Sequence, residues 1–83
     1  MGGNTLPTAQ ADVSRMVREL RRRLGLTQEK MAARLGVTFP TINRWENGRA
    51  MPSPLAQEKI EATLRRMGKD GADLLPVFQA KAR

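Results

Sequence analysis

Cysteine and histidine are both missing from this 83-residue chain. Without cysteine, neither disulfides nor thiolate metal sites can staple the fold, and cysteine usage leaves the redox compartment undetermined. Without histidine, the chain lacks the usual general base, the usual zinc ligand and the side chain that titrates near neutrality unaided. No Gly-rich phosphate loop of the G-x-x-x-x-G-K type occurs, and the eight carboxylates are scattered over faces and caps expected to meet water. These absences argue against an enzyme, and against a resident metal or cofactor. Long apolar runs are also lacking, so no segment reads as a membrane span, and the start Met1-Gly2-Gly3-Asn4-Thr5-Leu6-Pro7 has neither the basic nor the apolar zone of a signal peptide. A cytoplasmic location without membrane contact is the expectation.

What the chain does contain is one core's worth of apolar residues, 40% of the total, and a surplus of positive charge. A chain this short supports a single domain whose core supplies only about 3–5 kcal/mol. Fifteen Lys and Arg against eight Asp and Glu leave a net charge of +7. Such a balance fits a polyanionic partner, although charge alone does not separate nucleic acid from an anionic membrane or a solubilising surface. The stretch from Arg15 to Arg49 holds nine basic residues and three acids, nearly the whole excess.

The pattern along the chain predicts an all-α domain of four to five helices. Residues 1–11 are small, polar and without periodicity, and read as a flexible arm. From there Val13, Met16, Val17, Leu20 and Leu24 fall on one helical face, with Arg15, Arg18 and Arg22 on the other; Asp12 is the expected cap and Gly25 the stop. Thr27 caps a second helix, Gln28 to Leu35, with Met31, Ala32 and Leu35 inward. Gly36 breaks it, and Thr38 caps a third helix whose inner residues are Ile42 and Trp45. Pro40 fits the first turn of that helix, where a proline nitrogen has no intrahelical partner to lose. Ser53 and Pro54 open a fourth helix that runs to about Met67, with Glu58, Lys59, Glu61, Arg65 and Arg66 expected to face water. The main domain thus covers residues 12–67. Residues 68–83 read as a tail or a short fifth helix, in which Leu74, Leu75, Val77 and Phe78 could pack on helices 1 and 4, dock a second copy or bind another protein. The sequence does not choose among these.

The stretch Thr27 to Gly48 carries a linked set of features: Leu-Gly-Leu-Thr-Gln at the first turn, Met-Ala at the helix crossing, Leu-Gly-Val-Thr at the second turn and Thr-Ile-x-Arg-Trp-Glu-Asn-Gly at the end. A small residue, Ala32, suits the close approach of two helices, and Gly36 suits a turn with positive φ. In this set the chain resembles the XRE family of phage-repressor and Cro-like helix-turn-helix regulators, from roughly Met16 to Leu64. The resemblance implies a phage-repressor-like domain that binds double-stranded DNA, places the start of its third helix against base edges in the major groove, and acts as a transcriptional regulator, in the first instance a repressor, associated with the nucleoid. An antitoxin or a protein–protein module on the same fold is the alternative.

Roles follow from position within that motif. Thr38, Phe39, Pro40, Asn43 and Arg44 are the candidate base contacts. Arg44 can pair with guanine O6 and N7, its plainer role being a phosphate contact. Phe39 and Pro40 have no side-chain donor, so they would act through a thymine methyl or through shape, unless Phe39 is buried against the second helix. Gln28, Arg21, Asn47 and Arg49 are the candidate phosphate contacts, Gln28 by virtue of its place at a helix start. Arg15, Arg18 and Arg22 could add further ones. The resemblance implies an internal ion pair between Arg21 and Glu46, and Trp45 reads as core rather than as a stacking platform. A homodimer is expected on analogy with such regulators, with residues 72–83 as a candidate surface for a protein partner.

Overall fold

The computed structural model describes residues 8–82. Its helical segments are α1 (Thr8–Leu24), α2 (Gln28–Leu35), α3 (Phe39–Glu46), α4 (Pro54–Arg66), a single turn α5 (Lys69–Ala72) and α6 (Leu74–Ala82), and no strand occurs among the described residues. The expectation of a flexible arm over residues 1–11 does not hold for residues 8–11. Residues 1–7 lie outside the described residues, while residues 8–11 belong to α1, whose first turns are favoured by Ala9, Gln10 and the buried Ala11. Asp12 therefore does not cap α1. It sits inside the helix, paired with Arg15 and 3.5 Å from Lys81 Nζ of α6.

Three helix starts follow one pattern. Thr27, Thr38 and Ser53 have extended backbones, and each side-chain oxygen accepts from the amide three residues on: Lys30 at 3.1 Å, Thr41 at 3.3 Å and Ala56 at 3.2 Å. Pro40 and Pro54 stand in the first turns, where they remove no helical hydrogen bond. The turn from α2 to α3 depends on Gly36, whose φ of 71° lets the Val37 amide reach back to the Ala32 carbonyl at 2.9 Å. Lys59 Nζ of α4 also donates to the freed Leu35 carbonyl at 3.3 Å, so the end of α2 is satisfied from two sides.

Between these helices lies one core, formed by Val13, Val17 and Leu20 of α1, Met31 and Leu35 of α2, Ile42 and Trp45 of α3, and Ile60 and Leu64 of α4. The C-terminal segment completes it. Phe78 is 1% exposed and Ala82 is buried, with Leu74 and Leu75 packed at the edge, so residues 69–82 fold back on α1 and α4 as part of the domain. The approach is close at Gly71, where a Cβ would collide with the backbone carbonyl of Leu64. Polar ties fasten the segment. Arg23 of α1 donates to both carboxylate oxygens of Asp73 at 2.7 and 3.0 Å and to the Asp70 carbonyl at 2.8 Å, and Gln57 Nε2 donates to the Ala82 carbonyl at 2.9 Å.

This packing corrects one expectation about α4. Glu61 does not face water; it is 3% exposed, covered by α6, with Gln79 Nε2 3.5 Å from its Oε1 and Arg65 at 3.7 Å. The helical spacing of α4 places Glu61 at the margin of the apolar stripe, and only the arrival of α6 moves it inside.

Candidate nucleic-acid interface

The geometry of α3 follows from its eight residues. Ile42, Trp45 and Glu46 point inward and are buried, while Phe39, Pro40 and Arg44 lie on the opposite side and are exposed, Phe39 by 46%. An apolar stripe three residues apart accounts for the anchoring of Ile42 and Trp45 against α1 and α2. Trp45, 3% exposed, is therefore a core residue. Phe39 stands at the start of α3 and is exposed. The Thr38 hydroxyl is engaged in the cap, accepting from the Thr41 amide and lying 2.9 Å from the Thr41 hydroxyl.

Glu46 is the charged member of the inner face, and the fold supplies it with donors. Arg21 Nε reaches Glu46 Oε2 at 2.7 Å and a terminal nitrogen of the same guanidinium reaches Oε1 at 3.0 Å, the fork-to-fork arrangement that suits Arg and a carboxylate. The other terminal nitrogen of Arg21 donates to the Leu26 carbonyl at 3.1 Å. Hydrogen bonding to Glu46 raises the pKa of the Arg21 guanidinium above its already high ordinary value. The Arg21–Glu46 pair thereby ties α1, the α1–α2 turn and α3 together.

The carboxylate also collects the remaining polar candidates. Gln28 Nε2 donates to Glu46 Oε1 at 3.0 Å, Asn43 Nδ2 donates to Gln28 Oε1 at 3.3 Å, and Asn47 Nδ2 donates to Asn43 Oδ1 at 3.0 Å and to the Asn43 carbonyl at 2.9 Å. Among the described residues, no buried side-chain nitrogen or oxygen lacks a hydrogen-bond partner. The structure thus brings Arg21, Gln28, Asn43, Glu46 and Asn47 into one network. It leaves Arg44 and Arg49 exposed outside that network. Of the basic residues on the outer face of α1, Arg15 pairs with Asp12, and Arg22 holds Glu19 through two bonds at 3.0 and 2.6 Å. The side-chain links from Gln28 to Asn43 and from Asn43 to Asn47 are absent from the sequence reading. The i, i+4 spacing of Asn43 and Asn47 was the available signal for the second; the first joins two helices and has no local signature.

Comparison with known proteins agrees with this geometry. The helix-turn-helix family model matches residues 17–66, more than half of the chain, from the second half of α1 through α4. An uncharacterized HTH-type transcriptional regulator of Methanothermobacter thermautotrophicus is 47% identical over 51 residues, which are 61% of this chain and 74% of that protein. The type II methyltransferase M1.ScrFI of Lactococcus lactis subsp. cremoris is 42% identical over 57 residues, 65% of this chain but only 14% of the methyltransferase, so that likeness concerns a short piece of a much longer protein. No solved structure matches the chain. With two helices joined at Gly36, a buried stripe that holds α3 in place and a family match over the same residues, this chain belongs to the helix-turn-helix family.

Proposed function

We propose that this chain binds double-stranded DNA sequence-specifically and regulates transcription, as a repressor in the first instance, with α3 in the major groove. The observation that carries this reading is the division of α3: its inner face is fixed in the core while Phe39, Pro40 and Arg44 stand free on the other side. A helix presented in this way is a probe that costs no rearrangement on binding. The net charge of +7 supplies the attraction to a polyanion.

Within this reading Arg44 contacts a guanine, Asn43 a second base, and Phe39, Pro40 and the carbons of Thr38 shape the contact at the helix start. Phosphates meet Arg49, Asn47, Gln28 and the exposed edge of Arg21, whose side chain is 27% exposed despite its bonds to Glu46. Dimeric binding to a near-palindromic site and association with the nucleoid complete the proposal. The alternative, an antitoxin or protein-binding module acting through residues 72–83, gains little from the structure, because Phe78 and Ala82 are already buried in the chain's own core.

Selection of bound sequences from a random duplex pool at stated salt tests the reading. One enriched motif is expected, and Arg44→Ala should lose about 1–3 kcal/mol of discrimination at a single guanine. For about five neutralised phosphates, log affinity should fall against log salt with a slope near −4 to −5. No enriched motif, or binding indifferent to salt, would overturn it. Sedimentation of the free and DNA-bound protein checks the dimer.

A further inference from the structure

We propose that Gln28 is a positioning residue: held by Glu46, it fixes the amide of Asn43 in one orientation and so determines which base edge Asn43 can read. The inference rests on the DNA-binding reading and adds to it a cause of specificity that lies outside the recognition helix.

The argument is one of donors and acceptors. A carboxylate can only accept, and the Glu46 carboxylate, paired with Arg21, is fixed in place. Gln28 must therefore turn its NH2 group toward Glu46 Oε1, which leaves Gln28 Oε1 facing α3. Asn43 must in turn present its NH2 group to that oxygen, which puts Asn43 Oδ1 on the far side, where Asn47 Nδ2 donates to it. Every link runs in the same direction, from donor to acceptor toward Glu46. Turning either the Gln28 or the Asn43 amide over would set NH2 against NH2 or oxygen against oxygen, so a choice that is free for an isolated amide is decided here from two sides, by Glu46 acting through Gln28 and by the Asn47 NH2 group, which also donates to the Asn43 carbonyl.

Consequences follow at the surface. Asn43 is partly exposed and keeps one Nδ2 hydrogen and one Oδ1 lone pair beyond its internal bonds. A donor and an acceptor side by side in fixed order match N7 and the N6 amino group of adenine in the major groove. A free asparagine could turn over to suit a different pattern; this one cannot do so without breaking the chain to Glu46. Gln28 thus acts on a base through Asn43, whatever contact its own second N–H makes with a phosphate.

The test is the duplex selection repeated with wild type, Asn43→Ala, Gln28→Met and Gln28→Ala, with thermal unfolding of each to establish that it is folded. Gln28→Met keeps the length of the side chain and removes both of its hydrogen bonds, and Gln28→Ala stands in if the methionine disturbs packing. Asn43→Ala should erase a preference for adenine at one base pair. Gln28→Met should lose discrimination of about 10-fold or more at that same base pair, with preferences elsewhere in the motif retained. A Gln28→Met protein that keeps the full adenine preference, whatever its overall affinity, overturns the proposal, as does an Asn43→Ala protein that loses no preference at any base. If wild type enriches no motif, the DNA-binding reading falls and takes this role of Gln28 with it, an outcome distinct from the two that refute the positioning alone.

Discussion

Two short helices rest on α1, and they are built on opposite plans. α3 has a sharp division between a buried face and a free one, and its buried face includes a charge, Glu46, that is hydrogen-bonded to two other elements. α6 is apolar on most sides, buries Phe78 and Ala82, and leaves Val77 44% exposed without a matching polar face. The contrast separates two uses of an element. α6 closes the core, for which apolar area suffices. α3 has to be held at a defined angle while half of it stays unoccupied, and a bidentate ion pair with directional bonds does what undirected apolar packing does less well. Adjacent parts of α1 serve both: Arg21 reaches α3, whereas Arg23, two residues on, reaches Asp73 at the start of α6.

Substitutions that treat the two helices separately can break this comparison. The largest effect is expected at Phe78. Phe78→Ala should cost about 3–5 kcal/mol, a large part of the total for a domain of this size. Denaturant unfolding measures it, and a loss below about 1 kcal/mol would show that α6 is an appendage rather than a closure of the core. Glu46→Ala comes next. It leaves the donors of Arg21 and Gln28 without their acceptor at a site that Arg21 still shares with solvent, which points to a loss of about 1–3 kcal/mol. The same variant should weaken DNA binding more than its stability loss explains, because α3 is no longer held at its angle. Unchanged melting together with unchanged affinity would remove the role assigned to the ion pair.

Acid offers a milder probe of the α6 side. Hydrogen bonds from Arg22 and Arg23 pull Glu19 down from 4.5 to about 2, and Arg23 also holds Asp73 below the usual carboxylate value. A carboxylate whose folded pKa is depressed contributes stability that is complete above its unfolded pKa and is lost as the pH falls through the folded value. Melting temperature should therefore decline between about pH 4.5 and pH 2, and Asp73→Asn combined with Glu19→Gln should flatten that decline. An unaltered acid profile in the double variant would show that these exposed pairs contribute nothing. The smallest effect on stability belongs to the free face of α3: Arg44→Ala should change unfolding by no more than about 0.5 kcal/mol while altering DNA discrimination. A large stability loss would mean that Arg44 has a structural partner.

Much of the first four helices was legible because their signals are local. Thr27, Thr38 and Ser53 sit before apolar periodicity and act as caps in the structure, and the turns at Gly25 and Gly36 both fall at the expected glycines with positive φ. The inner residues of α3 were legible for the same reason. The start of α1 was placed too late, since Asp12 looks like a cap while residues 8–11 are already helical. Glu61 was assigned to water because a helical projection shows where a side chain points and not what arrives to cover it.

By itself, then, the amino-acid sequence determined helices α2 to α4, their caps and turns, and which side of α3 enters the core, because each of these depends on residues within about one helical turn of one another. Tertiary structure alone decided where the last helix goes, that Glu61 is covered, and that Gln28 meets both Glu46 and Asn43. The physical reason is separation along the chain. Gln28 lies 18 residues from Glu46, and Arg23 lies 50 from Asp73. Contacts of that kind carry no period or spacing that a sequence can display; they exist only once the helices between them have been packed.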